Sequence, residues 1–269
     1  MRLAFHLALT LWLMALGQTP SVAAPEWVEE VGPDKPGNHP HLQAGELVFS
    51  LSWQGIVNSG EVTLDIGKAG AHKPGVVVIQ TDSRTMGPGG ALFPYQGQGW
   101  SEINVRSLRP RYLKTTEHKD GKHIEIENRF FSNRVSYKKT TTEEDQSRVK
   151  SHVFAQSPVH DIGSAILFIR SQKLEAGDEI KLMLHPGGSP YLLSAKVIGQ
   201  EKHLELECIK LSLELNKIDL KTLELKPYEK LRKPALLWLT DDAQRLPLEL
   251  RGKIFIGEVR ATLEAYNEA

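Results

Sequence analysis

The chain has 269 residues, of which 40% are hydrophobic and 25% charged, a balance that excludes both a disordered tail and a multi-span membrane protein. Its 33 Lys and Arg offset 33 Asp and Glu, and a neutral chain has no global field to hold a polyanion, so nucleic acid loses its main affinity term. Cys208 is the single cysteine; no intramolecular disulfide can form, and the fold must rest on core burial and strand pairing.

Residues 1–23 read as a secretory signal peptide. Arg2 gives a positive start, Leu7 to Leu16 an apolar stretch, and Ser21-Val22-Ala23-Ala24 a small-residue exit. The stretch falls short of the ~20 residues that span a bilayer. Pro25 immediately after the cut would block cleavage, which places the cut after Ala23. Loss of Arg2 leaves 32 basic against 33 acidic residues, a net charge of −1. The expected location is periplasmic or extracellular, with no transmembrane segment in the mature chain.

Residues 24–44 carry four prolines and no apolar period, so an extended lead-in is expected. His39 and His41 flank Pro40, but two ligands without a third do not make a metal site. Neither a metal nor a cofactor is expected.

From Gly45 the pattern becomes strand-length runs between turn residues. Leu47, Phe49 and Leu51 alternate, and a turn over residues 56–60 leads into Val62, Leu64 and Ile66, a hairpin signal. The continuous Val76-Val77-Val78-Ile79 implies burial on both faces. Gly87-Pro88-Gly89-Gly90 reads as a plain turn, because a phosphate-cradling loop must open a helix. Residues 100–137 alternate with polar outer faces, and Asp120-Gly121 marks a hairpin. Residues 138–150 hold no core candidate and are expected to form a loop.

One short buried helix is predicted over residues 161–170. Asp161 is the N-cap, Ser164 stands three residues on, and Arg170 is a cation in the last turn. Its apolar residues lie nearly all round, so it should be enclosed by sheet. Strands resume at residues 179–184 and 191–198. From Leu204 to Leu215 the alternation changes parity midway, which implies a β-bulge or a strand passing between sheets. The run Ala235 to Leu239, the turn at Asp241-Asp242 and the segment Ile254 to Ala265 complete the pattern. The fold class is predominantly all-β: about a dozen strands in a single domain over residues 45–266, forming a curved antiparallel sheet, barrel or half-barrel.

Several short blocks stand out: Gly45-Glu46, Trp53-Gln54-Gly55-Ile56 and Ser59-Gly60; Asp161-Ile162-Gly163-Ser164-Ala165 through Ile169-Arg170-Ser171; and Leu174-Glu175-Ala176-Gly177-Asp178. Trp238-Leu239-Thr240-Asp241-Asp242, Arg245-Leu246-Pro247-Leu248 and Ile256-Gly257-Glu258-Val259 follow near the C-terminus. Together these blocks resemble the bacterial DUF3108 family. The similarity fades between residues 71 and 157 and between 201 and 233. The resemblance implies an exported envelope protein and carries no agreed activity, so it transfers no catalytic residue.

The candidate binding residues are Arg170, Asp241, Asp242, Arg245 and Trp238. Arg170, at a helix end beside a concavity, has the chemistry to hold an anionic head group with an aspartate tuning it. The alternative is structural: Asp161 caps the helix, the Asp pair makes an Asx-type turn, and the arginines bridge strand ends to carboxylates. Trp53, Trp100, Trp238 and Tyr191 are candidates for a sugar or lipid site or for core packing. No nucleophile elbow, zincin helix, P-loop or Cys-x-x-Cys is present. Three functions remain open. The first is a non-catalytic binder of an amphiphilic or apolar envelope component, which needs an apolar cavity. The second is an assembly module that meets an envelope partner protein, which needs an exposed apolar patch. The third is an envelope hydrolase, which needs close carboxylates or a Ser/His pair in a cleft.

Overall fold

A computed structural model describes residues 25–31, 35–40, 42–67, 74–255 and 257–269. The expected signal peptide lies outside these residues, as does His41. The described residues divide at Glu30 into two compact units. Within the first, Glu26–Val28 makes a single 3-10 turn.

The second unit holds the sheet. In chain order its elements are β1 (Gly45–Trp53), β2 (Val57–Ile66), β3 (Val76–Thr85), α1 (Gly87–Leu92), β4 (Tyr95–Asn104), β5 (Pro110–Lys119), β6 (Lys122–Phe130), β7 (Val135–Glu143) and β8 (Gln146–Phe154). Then come β9 (Val159–His160), α2 (Ile162–Ser171), β10 (Glu179–Leu184), β11 (Tyr191–His203), β12 (Leu206–Ile218), β13 (Leu225–Pro227), β14 (Ala235–Thr240), β15 (Pro247–Ile254) and β16 (Gly257–Glu268). One sheet runs β8-β7-β6-β5-β4-β3-β2-β1-β16-β15-β14-β12-β11-β10-β9, with β13 added to β12. The first and last strands therefore meet mid-sheet, and two wings, β1–β8 and β9–β16, extend from that junction. The sheet is curved and does not close: β8 and β9 are both edges.

The helix over 162–171 forms where its cap and periodicity place it. The Asp161 carboxylate accepts from Ser164 N at 2.7 Å, and Ser164 Oγ accepts from Asp161 N at 3.0 Å, so two otherwise unpaired donors of the first turn are satisfied. Leu167, Phe168 and Ile169 then enter one buried cluster with Leu47, Ile79 and Ile103 of the first wing and Leu182, Leu211 and Leu237 of the second. Each such side chain contributes about 1.5–3 kcal/mol by leaving water. The helix thus packs across both wings. Gly163 makes the approach possible, since a Cβ there would stand 3.0 Å from Ile79 Cδ1.

Five expectations need correction. Residues 138–150 are no loop but most of the β7–β8 hairpin. Its threonines favour extended backbone, and Glu144 and Asp145, both at positive φ, make the two-residue turn that matches strand twist. Gly87–Leu92 is a short helix, because proline fits the first turn, where its missing N–H is not needed. Leu204 and Glu205, at φ 48° and 66°, form the β11–β12 turn instead of opening a strand. The parity change after Cys208 is not a bulge: β12 stays in continuous register with β14. Instead, both faces of β12 are apolar there, with Ile209 and Leu211 in the main core and Cys208 beside Trp238 and Leu248 on the other face. The ladder shifts on the neighbouring strand, between Val197 and Gly199. Finally, β9 and β10 pair in parallel, since α2 is the crossover between them.

Candidate functional site

Arg170 and Arg245 meet at the last turn of α2. Arg170 is 1% exposed, yet its guanidinium is matched to main-chain oxygens. Nη1 donates to Pro40 O at 3.1 Å, Nε to Arg245 O at 3.5 Å, and Nη2 to Gln244 O. Arg245 returns the exchange. Its Nη1 donates to Arg170 O at 2.8 Å and to Gln172 O, and its Nη2 to Lys173 O at 3.1 Å. A helix C-terminus leaves carbonyls unpaired and partially negative, so each arginine closes the segment that carries the other. Burial, then the adjacent Arg245 charge, lowers the Arg170 pKa to about 10.

The lead-in is part of this clasp. Gly37 N donates to Ser171 Oγ at 3.0 Å, His39 N to Ser171 O at 3.1 Å, and His39 Nε2 lies 3.0 Å from Ala243 O. A Cβ on Gly37 would come within 2.1 Å of Ser171 O, so glycine is required for the strap to lie this close. Burial and then Arg245 hold the His39 pKa below its usual value.

Asp242 makes the expected Asx turn. Its Oδ1 accepts from Thr240 Oγ1 at 2.8 Å, Gln244 N at 2.9 Å and Arg245 N at 2.8 Å, which fixes the loop that carries Arg245. Asp241 turns away and accepts from Gln200 Nε2 at 2.5 Å. The structure therefore brings together Arg170, Arg245 and Asp242. The bonds they make are those of the structural alternative, with carbonyls in place of the expected carboxylates.

Trp238 belongs elsewhere, on the sheet face opposite the main core. Its ring stacks on His203 at 4.2 Å, with Arg251 Cζ at 4.8 Å and Lys210 Nζ at 5.3 Å from the ring centroid. Nε1 donates to Glu201 Oε1 at 2.8 Å, a bond that is the leading cause of the lowered Glu201 pKa. Glu249, 2% exposed, accepts from Arg251 Nε at 2.7 Å and lies 3.3 Å from His203 Nε2. Trp53, Trp100 and Tyr191 stand on β1, β4 and β11, so the four candidate aromatics do not converge.

Two polar networks escaped the sequence reading. In the first, Asp161 accepts from Ser101 Oγ, and Ser164 Oγ lies 3.2 Å from His160 Nδ1. A serine, a histidine and an aspartate are adjacent, but Ser164 is fully buried and its oxygen already serves the helix cap, so substrate has no route to it. Burial, then Arg109, lowers the His160 pKa to about 4, and burial raises that of Asp161. In the second, Asn128 Nδ2 donates to His185 O at 2.8 Å, and His185 Nε2 lies 3.2 Å from His152 Nε2. These contacts join the β8 edge to the end of β10. His185 is likewise lowered to about 4, by burial and then His152. Neither network has a sequence signature, because each pairs residues from distant strands.

A third feature lies on the surface. The β14–β15 turn, clasped to α2, and the β15–β16 turn occupy opposite ends of β15. At the latter end Trp53, Ile56, Leu92, Phe93 and Phe255 are all exposed, Ile56 at 87% and Phe255 at 70%. Gln54 N donates to Glu258 O at 2.8 Å, and α1 packs against β2 through Gly89 and Ser59, so the three turns carrying these side chains are neighbours. An open cleft of about 1030 Å3 lies between the β3–β4, β5–β6 and β7–β8 connections, and Arg84, His118, Lys119, Asp120 and His123 are among its lining residues. No group of three or more His, Cys, Asp or Glu is placed to hold a metal ion among the described residues. No helix there is long and apolar enough to cross a membrane.

Residues 48–264 match the family model described as protein of unknown function (DUF3108). No curated protein matches the chain. The fold is similar to a crystal structure of a β-barrel-like protein of domain of unknown function DUF1849 from Brucella abortus. That likeness has a TM-score of 0.55 at 9% identity and covers 86% of this chain and 99% of the other.

Proposed function

We propose that this chain, which belongs to the DUF3108 family, is an exported, non-catalytic module of the cell envelope that works by surface contact at its exposed turn end. One observation carries the reading: five large apolar side chains gather on three adjacent turns, where polar residues are the norm and where such clusters mark interaction surfaces. Export rests on the tripartite leader over residues 1–23.

The alternative of an apolar ligand held inside the sheet has less support. The concavity around α2 is packed with Phe168, Leu167 and the inner residues of both wings. The open cleft beside the β3–β4 connection carries Arg84, His118, Lys119, Asp120 and His123 on its lining, groups that an apolar guest would have to desolvate. Arg170 has its donors engaged with main-chain carbonyls, which leaves an anionic head group little to bind.

Cell fractionation tests the reading. The exported protein is expected in the envelope fraction with Ala24 at its N-terminus. An Ile56→Ser, Phe93→Ser, Phe255→Ser variant should unfold at the parent's temperature, because these side chains are exposed, yet shift to the soluble fraction. A variant that stays with the envelope as the parent does would refute the proposal.

A further inference from the structure

The exposed end carries a second property beside its apolar turns. Between Tyr228 and Pro234 the chain reads Glu229, Lys230, Leu231, Arg232, Lys233. Arg232 N donates to Lys253 O at 2.8 Å, which seats this segment next to the turn that bears Phe255. Lys230, Arg232, Lys233 and Lys253 are all exposed, and Glu229 is the one carboxylate among the residues of 229–233 and 253–255. Cations therefore adjoin the apolar turns on the side of β15.

We infer that this end of the sheet docks on an anionic lipid bilayer surface, an inference that rests on the contact reading above and names its partner. The apolar groups stand at the ends of β1 and α1 and on the turns beside them, spread over three connections. A fluid apolar phase receives such separate points at no cost in shape complementarity, which a folded partner would have to supply residue by residue. Trp53 has the amphipathic ring that settles at the headgroup level. Ile56, Phe93 and Phe255 are more exposed than Trp53 and would enter the acyl boundary, and the four cations would meet anionic headgroups. Apolar insertion and a basic patch are two weak signals that together hold a protein on a membrane.

The experiment is co-sedimentation of the exported, purified chain with vesicles of phosphatidylethanolamine and phosphatidylglycerol, and with vesicles of phosphatidylcholine alone. The parent should sediment with the anionic vesicles, less with the neutral ones, and be released by high salt. Ile56→Ser with Phe255→Ser should weaken binding to the anionic vesicles by at least about tenfold. Arg232→Glu with Lys233→Glu should remove the preference for anionic lipid while leaving the apolar turns intact. Failure to sediment with anionic vesicles, or equal sedimentation of parent and both variants, overturns the inference. Should envelope association still depend on Ile56 and Phe255 while vesicles do not bind, the partner is a protein, the lipid assignment falls and the contact reading stands. Envelope association that ignores those residues removes both.

Discussion

The two wings of the sheet are stabilised differently although they share one ladder. In the wing β9–β16, the strands around β12 and β14 are apolar on both faces: Leu211, Leu237 and Leu239 meet α2 on one side, and Cys208, Trp238 and Leu248 cluster on the other. In the wing β1–β8, the outermost hairpin buries Val135, Tyr137 and Phe154 at its open end, and beyond them its strands are held by main-chain pairing. Eight of the nine residues of β8 are outside the core, and Val149 and Val153 are exposed. Backbone hydrogen bonds exchange for bonds to water with little net gain, whereas buried apolar area is a large favourable term. Stability should therefore be concentrated where α2, the lead-in and the β14–β15 turn meet, and should decline toward β8.

The largest test of that gradient is Arg170→Ala. It strips donors from the carbonyls of Pro40, Gln244 and Arg245, removes a fully buried side chain and leaves the β14–β15 turn without the arginine that closes it. A loss of about 3–5 kcal/mol is expected, measured as the shift in the urea midpoint. Because the two arginines close each other's segments, the double variant with Arg245→Ala should cost less than the sum of the two single changes. Additive costs would show that the clasp is two independent bonds.

Acid should attack two buried imidazoles, His160 against α2 and His185 at the seam between the wings. His160 and His185 have folded pKa values near 4 against about 6.5 for an unfolded imidazole. Above pH 6.5 both states are neutral and the full stability is present. As pH falls from 6.5 toward 4 the unfolded chain takes up the protons first, so each histidine removes up to about 3 kcal/mol. Asp161 opposes this, since its raised pKa makes the folded state hold its proton more firmly than the unfolded chain. His185→Gln should flatten the slope of unfolding free energy against pH. An unchanged slope would place the acid sensitivity elsewhere than the seam between β8 and β10.

A smaller effect is expected from Asp161→Ala. The change removes the helix cap and the acceptor for Ser101, and about 1–2 kcal/mol should be lost. Asp161→Asn should recover most of it, because a carbonyl oxygen still accepts from Ser164 N. That recovery separates capping from any need for the charge.

This site shows what sequence could and could not carry. The helix was legible because cap, periodicity and terminal cation are local and agree. The sequence grouped Arg170, Asp241, Asp242, Arg245 and Trp238 without separating the three that meet from the two that do not, and it could not show the partners of the arginines, because carbonyl acceptors leave no mark on sequence. The Ser101–Asp161 and Asn128–His185 bonds join residues 60 and 57 positions apart, and nothing local announces them. The β7–β8 hairpin was missed for the opposite reason. A strand held by backbone pairing without a buried face has no period-two pattern to read. The change of parity at Cys208 was seen but misassigned, because a strand buried on both faces mimics a slip in register.

The mildest prediction tests the weak end of the gradient. Val149 lies on β8, paired only with Thr140 of β7 and open to solvent on its other edge. Val149→Ser removes no core contact, so its effect should stay within about 0.5 kcal/mol. Amide exchange supplies the sharper reading. Amides of Ser147 to Lys150 should exchange through local fraying of the hairpin, whereas those of Leu211 and Leu237 should wait for global unfolding. If β8 were instead protected to the same degree as β12, an edge with little apolar burial would be sharing the stability of the core. That result would mean the seam of His152, His185 and Asn128 couples β8 to the second wing, and the same protection should then vanish in the His185→Gln protein. Protection that survives that substitution would contradict the unequal division of stability between the wings.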